Sequence, residues 1–372
     1  MIKCTNCSQP YPDNGVPFLC PRCGGIFDLA TESWQGSQLD NDAFSGLWRY
    51  KNNFELPENA TPISLGEGNT PLVWCEIDGR QIGFKCEFLN PTGSYKDRGA
   101  ALLASFLLAR GVKRAVEDSS GNAGAAFAAY AARAGIHAQI YVPETASGPK
   151  ITQIKAYGAQ VFPVKGSRED VAQAVLEVTK AGVCYASHAY LPQVMLGYAT
   201  IAYELVEQLG DAPGSVILPV GQGNLLLGIG CGFISMLKSR SITHLPRIVG
   251  VQAQSCAPLV QLFYNQQTTP PPANSKTLAE GVRIANPLRP KTVIDIVKES
   301  QGTLIAVSEQ NILIGYQQLA KLGLYVEPTS ALVWEGIHHL RDHLPTPIIA
   351  ILTGSALKVI PSQELLNQIS TQ

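Results

Sequence analysis

The sequence has 372 residues, of which 45% are hydrophobic and 15% are charged. This composition excludes a disordered chain and predicts a large buried core. Because 28 basic residues nearly balance 29 acidic ones and leave a formal charge of −1, charge gives no reason to expect a nucleic acid, a membrane surface or a polyanionic partner.

The first thirty residues are predicted to form a separate unit around four cysteines. Cys4 and Cys7 form one C-x2-C pair, and Cys20 and Cys23 form a second one. Four thiolates suit a closed tetrahedral zinc site, which is structural rather than catalytic. Since so short a segment cannot bury a core of its own, we predict a zinc ribbon over residues 1–30. Four free thiols are the alternative.

The next segment, residues 31–60, is polar and contains turn-forming residues such as Gly36, Asn52 and Pro57. Such a composition is typical of an irregular connection rather than of a helix or strand. We therefore interpret residues 31–60 as a linker.

Short apolar runs then alternate with helical patterns along the chain. The predicted strands are residues 113–117, 139–142, 160–164, 183–185, 216–220 and 247–252. The predicted helices are residues 100–109, 123–134, 149–157, 169–180 and 225–237. This alternation predicts parallel sheets with crossover helices, in an α/β fold. The low charge agrees, because parallel sheets are covered on both faces.

The first segment that could carry chemistry places a lysine at the start of a helix. Pro91 and Gly93 predict a turn, and Ser94 with Asp97 predicts a capping box. Lys96 then lies in the first helical turn, where the helix dipole disfavours the protonated amine. A lysine with a lowered pKa is what imine chemistry requires. A solvated surface lysine is the alternative.

Two further segments each connect a strand to a helix. In the first, Asn122 could hydrogen-bond a ring hydroxyl or a carboxylate of a flat ligand, and a helix cap is the alternative. The second comprises Gly221, Gln222, Gly223, Asn224 and Leu225. Its backbone N–H groups and the helix dipole suit a phosphate, and a structural tight turn is the alternative. Neither segment has the spacing of a dinucleotide or ATP site.

Together, an imine-forming lysine, an amide for a ring and a cradle for one phosphate are what pyridoxal phosphate requires. This aldehyde cofactor, once joined to a lysine, acts as an electron sink for amino-acid carbanions. The sequence therefore indicates a pyridoxal phosphate enzyme.

The same motifs resemble the threonine synthase family, in the fold-type II group of pyridoxal phosphate enzymes. Four further segments resemble that family in the same order along the chain, namely residues 20–29, 48–50, 65–72 and 327–331. The resemblance implies a tryptophan synthase β-like fold, with two doubly wound α/β domains behind the N-terminal zinc ribbon. It implies a smaller domain over residues 91–190 and a larger one over 191–372, with residues 31–90 as linker and start of the larger domain.

The resemblance also implies a role for each candidate residue. Lys96 would form the internal aldimine with the cofactor and later act as acid and base. Asn122 would bind the ring hydroxyl of the cofactor, and Thr353 would bind its pyridine nitrogen. The backbone N–H groups of residues 221–225 would bind its phosphate.

The implied activity is that of a pyridoxal phosphate-dependent lyase in threonine biosynthesis. This enzyme converts O-phospho-L-homoserine and water into L-threonine and phosphate. Thr92 and Ser94 would bind the acidic groups of that substrate.

The chain departs from the family pattern at three places, which supports a second hypothesis. Ser355 and Ala356 stand where the family usually carries His-Gly, and Asn224 replaces a second glycine of the phosphate loop. Leu196 and Ala199 replace a glutamate and a lysine. The second hypothesis is β-elimination or β-replacement with the same cofactor, as in a threonine or serine dehydratase or a phosphoserine-using synthase. A third hypothesis, a non-catalytic protein, is opposed by the intact lysine, asparagine and threonine.

We expect a cytoplasmic homodimer that acts on a small-molecule amino-acid substrate. No secretory signal is visible at the N-terminus, and clustered, odd-numbered cysteines suit a reducing compartment. The uncharged residues 212–237 fit a strand, a glycine turn and a buried helix better than a membrane span. The zinc ribbon is not expected to bind nucleic acid, because Lys3 and Arg22 are the only basic residues among 1–30.

Overall fold

The computed structural model describes residues 2–29, 45–267 and 277–359. These residues form two compact units. The first unit comprises the described residues up to 69 together with residues 90–200, and the second comprises residues 70–89 together with the described residues from 201 onward.

The regular elements alternate along the chain as predicted. The strands are β1 (Ile2–Cys4), β2 (Phe27–Leu29), β3 (Leu72–Ile77), β4 (Arg80–Lys85), β5 (Arg114–Glu117), β6 (His137–Pro143), β7 (Gln160–Val164), β8 (Cys184–Tyr185), β9 (Ser215–Pro219), β10 (Arg247–Ala253), β11 (Thr303–Val307) and β12 (Ile348–Ile351). The α-helices are α1 (Lys96–Ala109), α2 (Asn122–Ala134), α3 (Pro149–Ala156), α4 (Arg168–Lys180), α5 (Gln193–Leu209), α6 (Asn224–Lys238), α7 (Pro258–Phe263), α8 (Pro290–Glu299), α9 (Glu309–Lys321) and α10 (Pro328–Leu340). Each predicted strand and helix is confirmed, with ends shifted by a few residues.

The first unit contains a four-stranded parallel sheet in the order β7-β6-β5-β8. Helix α2 is rich in alanine, and its residues 123–131 are buried. Small side chains let α2 approach its neighbours closely. At Gly124 a Cβ would lie 1.9 Å from the carbonyl oxygen of Ser119. Only glycine therefore lets this helix begin so close to the loop that follows β5.

The second unit contains a six-stranded sheet in the order β11-β10-β9-β12-β4-β3. Its strands are parallel, except that β3 pairs antiparallel with β4 at the sheet edge. Every residue of β9 and of β12 is buried, as expected of strands covered on both faces. Helix α10 packs on β9, where a Cβ at Gly336 would lie 2.8 Å from Ile217.

The linker interpretation is wrong for the part of residues 31–60 that precedes residue 54. Residues 46–53 form a 3-10 helix, in which Trp48 and Tyr50 are buried. The reason is a buried carboxylate, because Glu67 accepts hydrogen bonds from Trp48 Nε1 at 2.9 Å and from the Tyr130 hydroxyl at 2.8 Å. Residues 31–44 lie outside the described residues.

The uncharged residues 212–237 form β9, a glycine turn and the buried helix α6, as predicted. Among the described parts of the chain, no helix combines the length and the apolar character needed to cross a membrane.

Candidate active site

Lys96 is the first residue of α1, as predicted, but the predicted capping box is wrong. The N-cap of α1 is Tyr95, and it makes no side-chain capping bond. Asp97 instead accepts hydrogen bonds from Thr92, from its backbone N–H at 2.6 Å and from its hydroxyl. The turn folds Thr92 back over the helix start, so that Asp97 holds the turn rather than the Ser94 backbone.

The Lys96 side chain is partly buried between two aromatic rings, which disfavours the alternative of a solvated surface lysine. Its Nζ lies 4.7 Å from the ring centroid of Tyr95 and 5.6 Å from that of Tyr198 on α5. The close approach of Tyr198 depends on Gly99, where a Cβ would lie 2.8 Å from the tyrosine ring. The two rings therefore define the environment of the amine.

The pKa of Lys96 is raised above its ordinary value, so the predicted lowering is wrong. Burial of the amine lowers the pKa, but the phenols of Tyr198 and Tyr95 raise it more. A dipole at the helix start is a weaker influence than polar oxygens in contact with the ammonium group. The free amine is therefore protonated at neutral pH.

Asn122 is the first residue of α2 and follows the loop that leaves β5. The N-cap of α2 is Gly121, which makes no side-chain capping bond, so the Asn122 side chain is not the helix cap. The loop is held by Ser119, whose N–H donates to Glu117 at 2.6 Å and whose hydroxyl accepts from Gly121 N–H at 3.2 Å. The asparagine amide thus lies at the carboxyl end of β5, where an amide can hydrogen-bond a ligand.

Of the two predicted substrate residues, Ser94 is the more informative. Its hydroxyl is buried, and it has no hydrogen-bond partner among the described residues. A buried polar atom without a partner is costly unless a ligand or water satisfies it. The Thr92 hydroxyl, in contrast, is bonded to Asp97.

In the second unit, the predicted phosphate turn connects β9 to α6. Gly223 is the N-cap of α6 with φ +94°, and a Cβ there would lie 2.4 Å from Val293. The first N–H groups of a helix have no partner within it, so this turn presents donors and the positive end of a dipole. Buried Arg289 places its guanidinium 3.5 Å from Asn224 Oδ1, and this charge also favours an anion.

Thr353 follows β12 and is buried beside Ser330 at the start of α10. Their hydroxyl oxygens are 2.8 Å apart, and Ser330 also accepts the backbone N–H groups of Thr353 and Gly354. Because β9 and β12 are adjacent and parallel, the phosphate turn and Thr353 lie at the same edge of one sheet. Ligands of open α/β sheets bind at this carboxyl edge.

The sequence analysis did not identify several polar residues of these sites. Ser330 lies within the motif 327–331 and could have been found as a hydroxyl at a helix start. Tyr198 lies in a segment where the chain departs from its family. Glu117 and His188 are 71 positions apart, and no sequence pattern connects them.

The four N-terminal cysteines are brought together as predicted. Strand β1 pairs antiparallel with β2, and all four sulfur atoms lie within 4.8 Å of one another. Burial raises the pKa of Cys4, but backbone N–H groups of Cys7 and Asn6 directed at its sulfur lower it further, to about 7. A Cβ at Gly25 would lie 2.9 Å from the Cys4 sulfur, so glycine leaves room for the cluster. This donor set is the one that tetrahedral zinc prefers.

Two α/β units, one with a lysine and an amide at its strand ends and the other with a glycine turn and hydroxyls, define a fold-type II pyridoxal phosphate enzyme. The family model described as "Pyridoxal-phosphate dependent enzyme" matches residues 63–354. The chain belongs to this family, and the predicted α/β fold class is confirmed.

Within this family, the chain is most informatively compared with threonine synthases. The threonine synthase of Methanosarcina acetivorans is 30% identical over 375 residues, covering 96% of this chain and 92% of that protein. That of Methanocaldococcus jannaschii is 31% identical with the same coverage. The resemblance to threonine synthases is therefore confirmed over nearly the whole chain.

Solved structures of other family members share the fold. A bacterial-type threonine deaminase, from the source abbreviated T.th., has a TM-score of 0.66 and 26% identity, covering 78% of this chain and 94% of that one. Maize serine racemase has a TM-score of 0.68 and 25% identity, covering 81% and 91%.

Proposed function

We propose that this protein is a threonine synthase, which converts O-phospho-L-homoserine and water into L-threonine and phosphate. The observation that carries this proposal is the similarity to threonine synthases over 96% of the chain. An enzyme whose similarity extends over both units shares their binding elements, not only the cofactor fold.

In this proposal, pyridoxal phosphate is held by residues of both units. Lys96 bonds the aldehyde carbon, and Asn122 hydrogen-bonds the ring hydroxyl. The N–H groups of residues 221–225 bind the phosphate, and Thr353, itself held by Ser330, hydrogen-bonds the ring nitrogen. When bound, the cofactor stabilises negative charge on the carbon atoms of the amino-acid substrate.

The chain's own residues then bind the substrate and move protons. Lys96 Nζ removes the proton from Cα and delivers protons later in the reaction, while water adds at Cβ and phosphate leaves from Cγ. Ser94, whose buried hydroxyl lacks a partner among the described residues, binds an acidic group of the substrate. Thr92, fixed by Asp97, is placed in the same turn and contributes to this binding.

A second candidate keeps the cofactor but catalyses β-elimination or β-replacement, as a threonine or serine dehydratase or a phosphoserine-using synthase does. It is favoured by the fold similarity to a threonine deaminase and a serine racemase. Leu196 and Ala199, where the threonine synthase pattern has charged residues, also favour it.

A substrate assay distinguishes the two candidates. The purified protein, supplied with pyridoxal phosphate, is expected to release phosphate from O-phospho-L-homoserine and to form an equal amount of L-threonine. Phosphate detection and amino-acid chromatography measure the two products. Keto-acid formation from L-threonine or L-serine, without phosphate release from O-phospho-L-homoserine, would refute the first candidate in favour of the second.

The four cysteines Cys4, Cys7, Cys20 and Cys23 are proposed to hold a structural zinc ion. The support is their clustering and the N–H groups directed at the Cys4 sulfur, which favour a thiolate. This ribbon is proposed to stabilise the fold and not to bind nucleic acid. The protein is further proposed to act as a homodimer in the cytoplasm.

Metal analysis tests the zinc proposal. The wild-type protein is expected to contain about one zinc ion per chain, and the double variant Cys7→Ser/Cys20→Ser is expected to contain none and to unfold at lower temperature. Cys75→Ser, which changes a partly buried thiol of β3 outside the cluster, is the matched control and should keep its zinc. Metal-free wild-type protein, or a double variant that retains zinc, would contradict the proposal.

A further inference from the structure

A buried carboxylate and a histidine form a pair in the first unit. Glu117 is the last residue of β5 and is fully buried, and one of its oxygens is hydrogen-bonded to Nδ1 of His188. Its other oxygen accepts the N–H of Ser119 at 2.6 Å. His188 follows β8, the strand that pairs with β5. The carboxylate is therefore fixed by its own loop, and it fixes the orientation of the imidazole ring.

The same histidine lines the cavity that contains Lys96. The polar side chains of this cavity belong to Lys96, His188 and Tyr198, and its other walls are apolar. The cavity has room for about one water molecule, which would find polar partners there. An imidazole and the candidate catalytic amine thus share one enclosed space.

The charge of Glu117 also acts on both neighbours. Burial raises the pKa of Glu117, but His188 lowers it more through its charge and its hydrogen bond, so the pKa lies below its usual range. The carboxylate is therefore ionised at neutral pH. At Lys96, where burial lowers the pKa, Glu117 joins the two tyrosines in raising it.

We propose that Glu117 and His188 are positioning residues that exchange a proton with Lys96 during turnover, a role that rests on the proposed function of Lys96. With Nδ1 bonded to Glu117, Nε2 is the ring nitrogen that takes part in the exchange. The proton that Lys96 removes from the substrate passes to Nε2, directly or through one water molecule. The step leaves a neutral amine and an imidazolium beside the Glu117 carboxylate. The reverse step restores both groups, so no further reactant is required.

The test measures proton transfer separately from turnover. L-Threonine is a suitable probe, because it is the product in one proposed reaction and a substrate in the other. Holoenzyme is incubated with L-threonine in deuterium oxide, and the loss of the Cα proton is followed by NMR. Glu117→Gln and His188→Asn are compared with His137→Asn, which changes an exposed histidine at the start of β6.

Both variants of the pair are expected to exchange the Cα proton at least about 10-fold more slowly than wild type. Their visible cofactor band and their dissociation constant for L-threonine should be unchanged, and His137→Asn should match wild type. Added imidazole should restore exchange in His188→Gly, which a purely structural role does not predict.

Wild-type exchange rates in Glu117→Gln and His188→Asn would overturn the proton-exchange role, as would slower exchange that merely follows weaker threonine binding. The proposed function is tested separately by Lys96→Ala. If that variant keeps the visible cofactor band, the proposed function itself fails. If the band is lost there while the variants of the pair exchange normally, only the role of Glu117 and His188 fails.

Discussion

Lys96→Ala is expected to lower the turnover of O-phospho-L-homoserine by at least about 1,000-fold and to remove the visible absorbance of bound cofactor. The physical reason is that the variant loses both the amine that bonds the cofactor and the base that moves the substrate protons. Absorbance spectra and phosphate release, measured on the same preparations, check both effects.

The matched control is Lys113→Ala, which removes an exposed lysine ahead of β5 in the same unit. This control is expected to keep wild-type absorbance and activity. If Lys96→Ala retained both, another amine would bond the cofactor and the assignment of the site would be wrong. A variant that loses the absorbance while its far-ultraviolet circular dichroism is unchanged would show that the loss is chemical rather than structural.

Glu204→Gln is expected to lower the free energy of unfolding by about 3–5 kcal/mol, because it leaves a buried ammonium group without its counter-charge. Glu204 Oε2 lies 2.7 Å from Lys85 Nζ, and both side chains are fully buried. The ammonium also donates to the carbonyl of Thr70 at 2.8 Å and to Gln208 Oε1 at 3.1 Å. These neutral acceptors cannot replace a carboxylate. Urea unfolding measures the change.

The comparison for this pair is the surface pair of Lys291 and Asp295 on α8, whose side chains are 88% and 54% exposed. Solvent screens such a pair, so Asp295→Asn is expected to leave stability unchanged. A similarly small effect of Glu204→Gln would show that Lys85 is satisfied without the carboxylate.

Much of the fold could be predicted from the sequence, because its signals are local. Continuous apolar runs such as residues 216–220 are typical of strands buried on both faces, and alanine-rich residues 123–134 with Gly135 after them are typical of a helix and its stop. Alternation of these patterns then requires parallel pairing. The cysteine pairs and the lysine at the start of α1 were likewise predictable from spacing and neighbouring residues.

The remaining features depend on contacts between distant parts of the chain. The capping box at Ser94 and Asp97 was a reasonable local prediction, but the turn places Thr92 closer to the carboxylate. The burial of Trp48 follows from its bond to Glu67, which lies outside the segment interpreted as a linker.

The environment of Lys96 was even less predictable. Tyr198 reaches the amine because a glycine at position 99 leaves space for its ring. Glu117 and His188 meet because β5 and β8 are neighbours in the sheet, and the order of parallel strands is not written in any one segment. The raised pKa of Lys96 follows from these contacts and not from its helix position.

The central claim is that the amine of Lys96 bonds the cofactor, and reductive labelling tests it most directly. Holoenzyme is treated with borohydride, digested and analysed by peptide mass spectrometry to locate the reduced cofactor. We predict that the label lies on Lys96 and on no other lysine. Labelling of a different lysine, such as the buried Lys85 or Lys358, would contradict the account.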